Sequence, residues 1–376
     1  MRILFDHQVF SWQTYGGISR YFAEEMRGLQ KLGQEVFLPV HFFSENVYLR
    51  ELPDFQRSSS TKYSFKGKKI FQNILGRQAS LGAIRKILPN VFHPTYFDPY
   101  FLKTLQQKGI PFVLTVHDMI HEIYGHGSQN IFSLDAHVVE NKRLLAEKAD
   151  AVIAVSENTR LDLLRFCPNV DPAKIHVIHH GNSLNFKAGS TNPSSTHHTR
   201  PFLLFVGQRK AYKNFSWMAT QLAELLHSEK DLHLMCVGGS VFNAHEQVLF
   251  ENLGIAQKVQ YQVVGSDQEL AALYRQAACF IFPSQYEGFG IPVLEAFACG
   301  CPAVLNRASS LPEVGGDAAV YFEENVAGSL ENTVRRILNE KPFRDALVEA
   351  GLIRVQQFSW EQSVTKHLTV YQSVAK

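Results

Sequence analysis

The sequence is short of the features that mark out several protein classes. Its five cysteines (Cys167, Cys236, Cys279, Cys299 and Cys301) form no CxxC pair, so no zinc finger or disulfide framework is indicated. Cys236 and Cys279 lie inside apolar runs and read as small hydrophobes in a reducing compartment. Sixteen histidines, including the pairs His179-His180 and His197-His198, show no ligand spacing with the cysteines, and no catalytic metal or other cofactor is expected. The formal net charge is only +2 at pH 7, too small to draw the whole surface to nucleic acid. No apolar run approaches the ~18 residues of a spanning helix. The stretch from Met1 to Phe10 lacks the basic and apolar regions of a signal peptide. The expected location is the cytoplasm, either free or peripheral on the inner face of the membrane. No repeat of solenoid period occurs. No GxGxxG follows a strand with an acid about twenty positions later, which argues against a dinucleotide-dependent oxidoreductase.

What the chain does have is apolar material. Of 376 residues, 45% are hydrophobic and 19% charged, enough for two cores where one would outgrow a single domain. Short β-branched and aromatic runs alternate with longer helical patterns, as in parallel α/β sheets. Examples are Arg2–Phe5, Phe112–His117 and Ala151–Ser156, then Phe202–Val206, Leu232–Val237 and Cys279–Pro283. Between the two groups, Asn185 to Arg200 is crowded with Ser, Thr, Pro, Asn and Gly, a linker composition. The expected division is 1–184, a linker 185–200, a second domain 201–358 and a final helix 359–376. After the first strand, Gly16-Gly17 opens a helix with Ile18, Tyr21, Phe22, Met26 and Leu29 at helical spacing until Gly33. The final helix has Ser359 as N-cap and Val364, Leu368 and Tyr371 on one face.

The densest chemistry lies between Phe280 and Ala303. A buried strand ends at Pro283, a glycine loop follows, and Pro292 falls where a first-turn proline belongs. Gly300 and Pro302 close the short helix. The amides of Gly288, Phe289, Gly290 and Ile291 would then crowd ahead of a helix N-terminus, where free N–H groups and the dipole favour an anion or a sugar hydroxyl. Glu287 lies in the loop and Glu295 about one turn into the helix, so each carboxylate can serve a different part of one ligand.

These residues resemble the signature of family 4 glycosyltransferases, retaining enzymes of the GT-B fold that include bacterial mannosyl- and glucosyltransferases. The signature is two glutamates separated by seven residues, here Glu287 and Glu295 within SQYEGFGIPVLEAFACG. The resemblance runs over nearly the whole chain. It implies two Rossmann-like α/β domains whose parallel sheets face each other across a deep cleft, the last helix crossing back to the first domain. It implies that Glu287 contacts the transferred sugar, with Gly288, Phe289 and Gly290. Gly290 and Ile291 would serve the diphosphate, and Glu295 the ribose. A second matching piece, Val206 to Asn214, follows a strand; there the family places an Arg and a Lys against the leaving diphosphate, and Arg209 and Lys213 are the candidates. Gln208 stands where many members carry the Arg, so Lys210 is a further candidate. In the first domain His117 matches a histidine that hydrogen-bonds the donor sugar's 6-hydroxyl, with Asp118 either orienting it or capping the next helix. Gly16-Gly17 matches a loop that approaches the donor phosphate, with Gly17 against the diphosphate. Glu287 and His117 are the candidate catalytic residues.

From Arg57 to Lys86 the chain carries basic residues and no acid, interleaved with apolar ones. Such a stretch docks on anionic lipid or a lipid-diphosphate acceptor, or is an ordinary solvated excursion. The expected activity is transfer of a hexose from a UDP- or GDP-sugar to a hydroxyl of a glycan or lipid-linked glycan, with retention, as in polysaccharide assembly. The alternatives are a sugar-nucleotide epimerase or hydrolase on the same frame, and a two-lobed binding protein, against which the paired glutamates argue.

Overall fold

A computed structural model of the chain describes residues 1–39, 44–52, 68–125, 135–184 and 200–375. Nearly all of the linker-like stretch 185–200, His197-His198 and the beginning of the basic stretch, 57–67, lie outside the described residues. The chain forms two compact units. One comprises Met1–Gly181 with Trp360–Lys376, the other Asn182–Ser359.

All strands of the first unit pair in parallel. They are β1 (Arg2–Phe5), β2 (Glu35–Phe37), β3 (Val91–His93), β4 (Val113–Val116), β5 (Ala151–Ala154) and β6 (Ile175–Val177). Their orders are β2-β1-β3 and β4-β5-β6, and a parallel bridge between Phe92 and Phe112 joins the two sets. The central strands are buried end to end, VLTV in β4 and AVIA in β5, because helices cover both faces of such a sheet.

The helix Gly17–Lys31 buries Tyr21, Phe22, Met26 and Leu29 against this sheet, as the sequence spacing predicts. Ile18 is only partly buried, and Glu25 joins the inward face. A five-residue helix, Gln8–Trp12, intervenes between β1 and Gly16, because Val9 and Phe10 find core partners there. The helix Trp360–Val374 buries Val364, His367, Val370 and Tyr371 in the same core. Gly181 permits the close approach: a Cβ there would stand 2.3 Å from the Trp360 backbone nitrogen.

The second unit holds β7 (Phe202–Val206), β8 (His233–Val237), β9 (Val259–Gln262), β10 (Cys279–Phe282), β11 (Ala303–Asn306) and β12 (Val320–Phe322), in the order β12-β11-β10-β7-β8-β9. Its core gathers Leu203, Phe205, Leu234, Cys236 and Ile281 from the strands with Met218, Leu222 and Leu225 from the helix Phe215–Ser228. The winding reverses direction between β7 and β10. In an open parallel sheet, ligands bind outside the carboxyl ends of the strands at that switch point. All five cysteines are free and buried.

Candidate active site

Two loops flank the switch point of the second unit, one after β7 and one after β10. The Gln285 amide donates to the Tyr212 carbonyl at 2.9 Å and ties the loops together. Lys213 ends a short 3-10 turn, Ala211–Lys213, and its Nζ donates to Glu287 Oε1 at 2.5 Å. The Lys213 ammonium also lies over the Phe282 and Tyr212 rings, 5.3 Å and 5.4 Å from their centroids. Both members of the ion pair are largely buried, 15% and 12% exposed, so the attraction is screened far less than at an open surface.

Beyond Glu287 the chain turns into the helix Ile291–Ala298, with Gly290 at its N-cap and Pro292 in its first turn. Gly290 has φ +107° and no side chain caps the helix; Pro292 has no N–H and the Val293 amide donates to the Gly290 carbonyl at 2.9 Å, so the Ile291 amide and the positive end of the helix dipole are what an anion would meet there. Glu295 sits one turn in, nearly buried, and its Oε2 accepts from the Tyr274 hydroxyl at 3.2 Å. Burial and the Glu295 charge together raise the Tyr274 pKa, so this phenol stays a donor.

Ser309 and Ser310, in the loop after β11, escaped the sequence reading. The Glu287 amide donates to Ser309 Oγ at 2.8 Å, and Ser309 Oγ donates to the Glu287 carbonyl at 3.1 Å. Ser310 Oγ lies 2.9 Å from that carbonyl and 2.8 Å from the Phe289 carbonyl. Each hydroxyl has one proton, so Ser309 serving Glu287 and Ser310 serving Phe289 satisfies both acceptors. Ser309 adopts φ +47°, a conformation other residues hold only under constraint. A serine pair after a third strand end was the available signal.

Arg209 is engaged with other partners. Its Nε donates to Glu246 Oε1 at 2.6 Å, its Nη1 to the Gly238 carbonyl at 3.1 Å and its Nη2 to the Ser240 carbonyl at 2.5 Å. The Phe242 ring lies 4.9 Å away. The loop after β8 thus captures the guanidinium, while Lys210 and Gln208 are exposed.

In the first unit, His117 follows β4. Its Nε2 is enclosed and has no hydrogen-bond partner among the described residues. Tyr21 and Phe22 meet the ring edge-on at 4.9 Å and 5.7 Å, and His180 stacks on it at 6.1 Å. Burial lowers the His117 pKa from 6.5 to about 4, against the pull of Asp118, so the imidazole is neutral near pH 7. Asp118 Oδ1 accepts from the Ile120 amide at 3.1 Å, which makes it a cap for the next turn. Gly17 is exposed at the first position of its helix.

Residues 15–186 match the model of Glycosyltransferase Family 4, and residues 190–354 that of Glycosyl transferases group 1. The chain belongs to the family 4 glycosyltransferases. Over 173 residues it is 30% identical to the O-antigen chain mannosyltransferase B of Escherichia coli, a match that covers 45% of each chain. It thus spans just under half the length of that relative. Among solved structures, a sucrose-phosphate synthase of Thermosynechococcus elongatus superposes with TM-score 0.75 at 20% identity, over 99% of this chain and 98% of the other. Anabaena HepE in complex with UDP-glucose gives 0.71 at 16%, over 98% and 99%. The fold is therefore the GT-B fold of this family, two α/β units with parallel sheets. No helix among the described residues is long and apolar enough to cross a membrane.

Proposed function

We propose that this family 4 glycosyltransferase moves a hexose from a nucleoside diphosphate sugar to a hydroxyl of a glycan or lipid-linked glycan, with retention and without a metal. The observation that carries the reading is the Lys213–Glu287 ion pair at the switch point, just ahead of the uncapped helix Ile291–Ala298. When the bond between sugar C1 and the diphosphate oxygen breaks, negative charge gathers on the leaving group. Lys213 and the positive end of the helix are preorganised to stabilise it. A diphosphate at Lys213 competes for the ammonium and releases the Glu287 carboxylate to the sugar. Glu295, held by Tyr274, takes the ribose hydroxyls. His117, neutral and with Nε2 unengaged, hydrogen-bonds the sugar's 6-hydroxyl, and Gly17 lets backbone approach the phosphate. The acceptor oxygen bonds to C1 on the face the diphosphate leaves, and its proton passes to the departing phosphate oxygen. Uridine is the first candidate base, in keeping with the UDP-glucose bound by HepE, and guanosine the second.

Lys213→Ala and Glu287→Gln are each expected to lower turnover about a hundredfold to a thousandfold, or about 3 to 4 kcal/mol of barrier. EDTA should leave the wild-type rate unchanged. Near-normal turnover in both variants would remove the site assignment. Rapid donor breakdown without acceptor would favour a hydrolase.

The helix Lys68–Ile87 supports a lipid-linked acceptor. Ile70 is 69% and Ile74 50% exposed, and Arg85 and Lys86 are exposed. No acid occurs between Asp54 and Asp98. Exposed isoleucines near the start of the helix, with arginine and lysine near its end, fit an anionic bilayer surface. The chain should sediment with vesicles containing phosphatidylglycerol and not with phosphatidylcholine alone, and Ile70→Glu with Ile74→Glu should abolish binding. Equal partition to both vesicles argues for a solvated face instead.

A further inference from the structure

Behind His117 lies a line of polar groups inside the first unit that sugar binding does not use. Tyr21, Glu25, His93, Thr115, His367 and Tyr371 are all buried, and they come from one helix, two strands and the helix Trp360–Val374. His367 Nδ1 stands 2.7 Å from the Ser363 carbonyl, which can only accept, so that nitrogen carries the proton. His367 Nε2 is then an acceptor, and Tyr21 donates to it at 2.5 Å. Burial lowers the His367 pKa, in keeping with a neutral ring.

The Tyr21 oxygen is left to accept from Thr115 Oγ1, 3.1 Å away. The one Thr115 proton being spent, His93 Nε2 donates to Thr115 at 3.0 Å. At the far end Tyr371 donates to Glu25, and His93 Nδ1 lies 2.5 Å from the Tyr371 oxygen and 3.6 Å from the Glu25 carboxylate. Burial opposes ionisation of Glu25, and the hydrogen bonds from His93 and Tyr371 help to outweigh it, so its pKa falls below the ordinary value. A continuous run of hydrogen bonds thus joins Tyr371 and His93 through Thr115 and Tyr21 to His367.

We propose that His367 is a positioning residue for His117, acting through the Tyr21 ring that this run of hydrogen bonds holds in place. Tyr21 meets His117 and His180 edge-on, each at 4.9 Å, and so fixes the plane in which the imidazole is presented. The inference rests on the reading that His117 binds the sugar.

The test is a set of transfer assays on Tyr21→Phe and His367→Phe, each made in the wild type and in His117→Ala. Tyr21→Phe removes a single atom, and His367→Gln serves if the phenylalanine variant does not fold. In the wild type, each should lower kcat about tenfold to a hundredfold with the donor KM nearly unchanged, and the double variant should be no worse than either single one. On His117→Ala, neither should lower kcat further. Full, undiminished losses on that background show a structural role and overturn the proposal, as does wild-type kcat in folded Tyr21→Phe. If His117→Ala itself turns over normally, the sugar-binding reading of His117 has failed, a distinct result.

Discussion

At the residue scale, Arg209 shows the limit of a local pattern. A basic pair after a strand reads as phosphate equipment, and Lys213 pairs with Glu287. Arg209 has the same context in sequence, yet Glu246 and three backbone carbonyls hold its guanidinium. Those partners lie about thirty positions downstream, where no local pattern reaches. Arg209→Ala should therefore act on the fold, because it strands a buried Glu246 carboxylate; such losses are about 3 to 5 kcal/mol. A melting temperature that falls well below that of Lys213→Ala supports this. A normal melting temperature with weakened nucleotide binding would return Arg209 to the diphosphate. Ser309, Ser310 and Glu25 were illegible for the same reason, since each is defined by a partner brought in by tertiary structure.

At the scale of elements, the legible ones had strong local signals. The strands named from sequence are runs that lie buried at the centre of their sheets, and the Gly17–Lys31 and Ile291–Ala298 helices begin where glycine and proline predict. The strands Glu35–Phe37, Ile175–Val177 and Val320–Phe322 are three residues each, too short to establish a period of two. The helix Gln8–Trp12 was missed because five residues carry no helical repeat. Gly290 was legible as a loop glycine, and its role has a measurable cost. At φ +107°, with Leu311 Cδ2 3.1 Å from where a Cβ would stand, Gly290→Ala combines backbone strain with a clash. It should lose about 1 to 3 kcal/mol of stability together with affinity for the nucleoside diphosphate, read by chemical denaturation and by calorimetric titration. Unchanged affinity would separate the turn from the ligand.

For the whole molecule, the fold class was legible and the polar interior of the first unit was not. Burial lowers the pKa values of His117, His180 and His367. A base with a depressed native pKa is neutral in the fold and takes up a proton on unfolding below its ordinary value. Their stabilisation is thus complete above about pH 6.5 and is lost as pH falls below that value. For His117, from 6.5 to about 4, the loss is about 3 kcal/mol. Denaturant midpoints should drop between pH 7.5 and pH 5; equal midpoints would mean these rings are charged in the fold.

The helix Trp360–Val374 also sets an order of manufacture. Tyr21 and Glu25 emerge from the ribosome early, yet His367 and Tyr371, which complete their hydrogen bonds, are translated only after the whole of 182–359. At roughly 5 to 20 residues per second, the nascent first unit must wait about ten seconds or more with the Glu25 carboxylate and the Tyr21 phenol lacking these partners, while the second unit is still being made.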